Sequence, residues 1–142
     1  MKPSKLFGLF LPIFLVANLN FGICQQNYFG LSFNDVQKKM LEYKSEFKSE
    51  PEIGFKEGVG NFIIYYLEDG ISPSFFFEND VCYFEIEHYS KNKYYPKLLK
   101  ILNENFVKEG EIWLEYKKNY FVVWELILED NYVIKRGTMN KY

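Results

Sequence analysis

One histidine and two cysteines in 142 residues leave little material for metal or nucleophilic chemistry. A zinc site draws on several Cys, His or carboxylate ligands, and neither a second histidine nor a pair of neighbouring cysteines accompanies His88. No Gly-x-Ser-x-Gly, phosphate loop or dinucleotide fingerprint occurs. Gly54, Gly58 and Gly60 have neither the spacing nor the basic residue and helix that phosphate binding requires. Asp69-Gly70 and Asp130-Asn131 fall where turns need such residues for backbone reasons, and no longer alternation of acids makes a calcium loop. No cofactor or metal is therefore expected. Low-complexity linkers and charge blocks are also missing, and one apolar run alone is long enough to be weighed against a membrane helix.

That run lies at the start. Lys2 and Lys5 precede LFGLFLPIFLVANL, and NFGIC follows, which is the basic, apolar and peptidase-readable layout of a secretory signal. A spanning helix needs roughly 20 apolar residues, more than this run supplies, and Pro12, Asn18 and Asn20 interrupt it. Gly22-Ile23-Cys24 places small side chains one and three residues before a cut that leaves Gln25 first. The expected division is a signal peptide over 1–24 and a single α+β domain over 25–142. Two other fates remain open for Cys24. It resembles the lipidated cysteine of a bacterial lipobox, although Ile23 is bulky for that pattern, or it stays and pairs with Cys82.

Removing Lys2 and Lys5 moves the formal charge from −2 to −4. An acidic chain has no electrostatic attraction for nucleic acid, and no second run suits a transmembrane helix in the mature chain. The remaining 118 residues suffice for one core, and aromatic residues fill it: 25 of the 29 Phe, Tyr and Trp lie beyond position 24.

Ser32 is a helix N-cap answered by Asp35, and Phe33, Val36, Met40, Tyr43 and Phe47 recur on one face. The spacing predicts a helix over 33–48, ended by Pro51. The stretch Gly30 to Val36, GLSFNDV, is similar to the helix opening in small secreted modules of the β-lactamase-inhibitor and outer-membrane-assembly lipoprotein type. That resemblance, over seven residues, implies helices packed on an antiparallel sheet and no particular activity. After a glycine-marked loop, NFIIYYLED reads as a strand. SPSFFFENDVCYFEIEHY reads as a hairpin closed by Asn79-Asp80, with Phe77 opposite Cys82 and Phe75 opposite Phe84. Phe75, Phe77, Cys82, Phe84 and Ile86 then face inward, and Glu78, Glu85 and Glu87 outward.

A second helix follows Tyr94-Tyr95, with Pro96 in its first turn and Tyr95, Leu98, Leu99, Leu102 and Phe106 on its buried stripe. Three strands close the chain, pairing Trp113 with Trp124 and Arg136 with Glu125. The run YFVVWELIL, apolar on both faces, reads as a central strand. The expected fold is α+β, an antiparallel sheet of about six strands with two helices on one face, in the order αβββαβββ. An ancient duplication of an αβββ unit is compatible with that order.

Catalysis is not expected. Cys82 and His88 alternate onto one strand face, but six extended residues separate them by roughly 20 Å, too far to share a proton. The Glu78, Glu85 and Glu87 row reads as a solvated face rather than as glycosidase carboxylates. The tyrosines cannot all be interior, which makes Tyr65, Tyr83, Trp113 and Trp124 candidates for a binding surface toward a protein or glycan; their scatter over every strand also fits a composition in which Tyr and Phe replace Leu and Val throughout. The sequence thus describes a non-catalytic binding or accessory protein, secreted or periplasmic, or alternatively an envelope lipoprotein anchored at Cys24. Mass spectrometry of the mature N-terminus is expected to find a free or cyclised Gln25; a diacylated Cys24 would overturn the secreted reading in favour of the anchored one.

Overall fold

The structure, a computed structural model, describes residues 26–142. The expected signal segment 1–24, the expected cleavage between Cys24 and Gln25, and the fates weighed for Cys24 lie outside the described residues. Cys82 is a free, fully buried thiol.

Helix α1 spans Phe33–Met40 and tightens into a 3-10 helix over Leu41–Glu46. Four strands follow, β1 Glu52–Lys56, β2 Gly60–Ile64, β3 Ser72–Glu78 and β4 Val81–Ser90. Helix α2 covers Lys91–Asn105, and a second set of strands completes the chain, β5 Val107–Glu109, β6 Ile112–Tyr116, β7 Tyr120–Leu128 and β8 Tyr132–Lys141. All eight strands form one antiparallel sheet in the order β1-β2-β3-β4-β8-β7-β6-β5. The α+β class is as expected, and the six expected strands become eight. β1 runs through Gly54, where glycine spacing reads as loop, and β5 is too short to show a period.

Each half is therefore αββββ rather than αβββ. Two four-stranded meanders meet where β4 pairs antiparallel with β8, and strand order reads the same outward from that joint. Both helices cover one face. Val36, Met40 and Tyr43 from the first helical segment and Tyr94 and Leu98 from α2 share a core with Ile63, Phe75, Phe77, Cys82, Tyr89 and Val133. A second cluster gathers Phe29, Leu102, Trp113, Val122 and Trp124.

The local reasons are readable in the contacts. Ser32 Oγ accepts from the Asp35 backbone N–H at 3.2 Å, and the Phe33 N–H donates to Asp80 Oδ1 at 3.0 Å, so the start of α1 is fastened to the β3–β4 turn. Asn79 and Asp80 take the positive φ values, 49° and 58°, that a tight two-residue turn demands. Helix α2 begins four residues before Tyr95, which places Pro96 in the second turn. The N–H missing there removes a helical bond, so packing of Tyr94, Leu98 and Leu102 holds the helix through that point.

β7 lies between β6 and β8, and its partners are those expected from sequence: Trp113 opposite Trp124 and Glu125 opposite Arg136. The Arg136 guanidinium reaches Glu125 Oε2 through Nη2 at 2.7 Å and Nε at 2.8 Å. The hairpin register holds at Phe77 and Cys82 and then slips. Phe76 pairs with Phe84 and Phe75 with Glu85, because Tyr83 is an extra residue that β3 does not match. The inward face assigned above to Phe84 and Ile86 therefore belongs to Glu85, Glu87 and Tyr89.

Gly137 shows how tightly the second cluster closes over β8. A Cβ there would stand 2.5 Å from Trp124 Cζ3 and 2.8 Å from Phe29 Cζ. Gly137→Ala is expected to cost about 1–3 kcal/mol by overpacking, read from urea denaturation, and an unchanged midpoint would show that both rings move aside freely.

Candidate functional site

Beyond the Tyr83 bulge, β4 turns two carboxylates toward the helices. Glu87 lies directly opposite Lys135 on β8, and Glu85 lies opposite Gly137. Glu85, Glu87 and Lys135 are at most 1 % exposed. The Lys135 ammonium stands 3.1 Å from Glu87 Oε2, 3.9 Å from Glu85 Oε1 and 4.1 Å from the centre of the Trp124 ring. Tyr89 Oη donates to Glu87 Oε2 at 2.7 Å. One cation thus serves two acids, with a ring face as a further electrostatic partner.

Two acids and one base inside a core leave an excess negative charge, and a proton removes it. Burial first, and Glu87 second, push the Glu85 carboxyl well above the ordinary carboxylate range; Lys135 opposes this, and Glu115 on β6 adds to it. As bare carboxylates, both oxygens of Glu85 and Oε1 of Glu87 receive no hydrogen bond among the described residues. A protonated Glu85 instead carries an O–H and donates to Glu87, which accounts for the pair without an unmatched charge. Tyr28, above the same cluster, has its hydroxyl pKa raised by burial and then by Tyr43 and both glutamates. The cluster is sealed from solvent, so no substrate reaches these carboxyls in this structure.

The Cys82–His88 pairing is ruled out more firmly than chain length alone allows. Residues 82 and 88 would share a face in a regular strand, but the bulge puts Cys82 on the helix side and His88 with Phe84 and Ile86 on the other. Burial pushes the Cys82 thiol up, with Glu85 adding to the shift, so it is neutral and packs as a small apolar group. Among the described residues no group of three or more His, Cys, Asp or Glu is placed to hold a metal ion, and no helix is long and apolar enough to cross a membrane.

Three of the four aromatic candidates lie inside. Tyr65, Trp113 and Trp124 are 3 %, 4 % and 2 % exposed. The indole N–H groups are used internally, Trp113 donating to Asn103 Oδ1 at 2.8 Å and Trp124 to Glu115 Oε2 at 2.9 Å. Tyr83 is half-buried and donates through its hydroxyl to the Val59 carbonyl at 2.9 Å. These four residues do not form a common surface.

The face opposite the helices does form one. Pairing aligns Phe62, Phe76, Phe84, Thr138 and Val123 in a row across five strands, all half-buried. Phe62 and Phe76 have ring centres 6.3 Å apart, and Phe76 and Phe84 5.4 Å. Ile86, Arg136 and Glu125 make the adjoining row, so an apolar ribbon borders a charged pair. Sequence reasoning missed this surface because it turned Phe84 and Ile86 inward. The one available signal was the crowding of Cys82, Tyr83 and Phe84, which offers more apolar residues than alternation accepts. No family model matches the chain, and no curated protein or solved structure matches it either.

The buried cluster yields a stability test with a defined sign. Glu85 binds its proton more tightly folded than unfolded, so its contribution is fully present below the ordinary glutamate value of 4.5 and is lost as pH rises toward the folded pKa. Unfolding free energy from urea titrations is expected to fall as pH rises above about 4.5, and Glu85→Gln is expected to flatten that slope. The other titratable groups that interact with Glu85 are Glu87 beside it on β4, Lys135 on β8, Glu115 on β6, Cys82 and Tyr28, and they stay in place in this variant. Glu87→Gln removes the nearer of the two carboxylates beside Lys135 and is expected to cost up to about 3–5 kcal/mol. Equal losses in both variants, with the slope retained, would contradict a protonated Glu85.

Proposed function

We propose that this protein is a non-catalytic binding or accessory module, secreted or periplasmic, that engages another protein through the uncovered face of its sheet. The carrying observation is the apolar ribbon through Phe62, Phe76 and Phe84, bordered by Arg136 and Glu125. Protein interfaces join an apolar, aromatic centre to a polar rim with arginine enriched, and this surface has that make-up. A glycan platform would present the flat faces of Trp or Tyr, yet Trp113, Trp124 and Tyr65 are held in the core. The acidic formal charge argues against nucleic acid. A second reading, a lipoprotein tethered at Cys24 with an envelope role, uses the same sheet face and differs in where the domain is held.

Site-specific photo-crosslinking in the native envelope or culture fluid tests this reading. A benzophenone side chain at Phe84 or His88 is expected to trap a discrete protein adduct, and the same probe at Lys100 on the exposed side of α2 is not. Adducts from Lys100 alone would move the interface to the helix side. Glycan binding that Phe84→Ala abolishes would replace the protein partner with a sugar.

A further inference from the structure

The two ends of the sheet are not alike. β5 has three residues and carries Lys108 and Glu109, so its free edge is short and charged, which discourages strand addition. β1 ends the sheet on the other side with five residues, and β2 occupies one of its edges along the whole length. Its side chains are exposed where a terminal strand is usually guarded: Ile53 is 54 % and Phe55 70 % accessible. Both lie on the helix side, while Glu52, Gly54 and Lys56 share the opposite face with Phe62.

The order Glu52-Ile53-Gly54-Phe55-Lys56 is complementary to its own reverse. Two β1 strands laid antiparallel and centred on Gly54 place Glu52 opposite Lys56 of the second copy, and Lys56 opposite its Glu52. In the same register Ile53 meets Phe55 of the second copy, twice, on the helix side. Cross-strand opposite charges and apolar pairs are the contacts that stabilise such a ladder. Gly54 meets itself on the axis with no side chain to obstruct the approach, and the Phe62 ring already fills the space above it. Tyr66 Oη, just beyond the end of β2, donates to Glu52 Oε2 at 3.1 Å, a bond that a second copy's Lys56 would supplement from the other side.

We propose that the β1 edge is a homodimerisation site, joining two copies through an antiparallel β1–β1 ladder into one sixteen-stranded sheet. The axis runs perpendicular to the sheet, so both copies keep their helices on the same side and the contact is isologous. The β4–β8 joint inside each chain is the same kind of junction, with two meanders meeting edge to edge. The uncovered sheet face stays free in the dimer, so this inference stands independently of the proposed partner surface.

Sedimentation equilibrium on the purified full chain reads the outcome. The wild-type protein is expected to show a monomer–dimer equilibrium. Glu52→Lys places like charges opposite one another at two symmetric positions and is expected to weaken the dimer about tenfold, with a similar effect for Lys56→Glu. The double variant E52K/K56E restores opposite pairing and is expected to recover the wild-type constant. Phe55→Asp is expected to abolish the dimer with an unchanged circular dichroism spectrum, since Phe55 supports no core contact. A strictly monomeric protein would overturn the proposal. So would a dimer indifferent to all three single changes, or one that the charge exchange fails to restore.

Discussion

Tyr83 is one residue more than β3 has partners for, and the face assignment of the whole second half of β4 follows from it. Before the bulge, Phe77 and Cys82 point to the helices; after it, Glu85, Glu87 and Tyr89 do. Because strand side chains alternate with period two, a single inserted residue exchanges the two faces for every residue that follows. The exchange places two carboxylates in the core and puts Phe84, Ile86 and His88 on the far side of the sheet. It also leaves the Cys82 backbone free of β8, where its N–H donates to the Leu31 carbonyl at 2.9 Å and its carbonyl accepts from the Gly30 N–H at 3.0 Å. The segment leading into α1 is thereby fixed to the bulge, which links the first helix to the hairpin.

Lys135 answers the carboxylates from the neighbouring strand, and the match is positional as well as electrostatic. β4 and β8 are the strands at which the two meanders join, so the Glu87–Lys135 pair lies across the joint itself. Any slip in that pairing would leave a lysine and two acids in an apolar core without compensation, which is a large penalty against the wrong register. The Trp124 ring over Lys135 and the Tyr89 hydroxyl on Glu87 complete the surroundings of the cluster.

Two apolar clusters and a sealed polar centre fill the space between the sheet and its helices. The uncovered face offers the phenylalanine ribbon, and the β1 edge offers backbone groups flanked by exposed Ile53 and Phe55. One is a face and the other an edge of the same sheet. The two proposed contacts, self-association at the edge and partner binding on the face, thus call on separate parts of the sheet.

Local signals carried far in this chain. The cap at Ser32, the turn at Asn79-Asp80, the pairing of Trp113 with Trp124 and of Glu125 with Arg136, and the α+β class all follow from residue type and spacing within a few positions. These features depend on backbone preferences and on neighbours already close along the chain. The faces of Phe84, Glu85, Glu87 and His88 were not legible, because a bulge is defined by what the opposite strand fails to match. The burial of Tyr65, Trp113 and Trp124 was equally hidden, since a ring reads alike in sequence whether a helix covers it or not. The sequence alone determined the α+β class, both helices, six of the eight strands and the pairings of β7 with its two neighbours, since capping, turn chemistry and side-chain periodicity are local. Tertiary structure alone decided which side of the sheet β4 presents beyond Cys82, since that depends on one residue the opposite strand does not match and on the lysine facing it from β8.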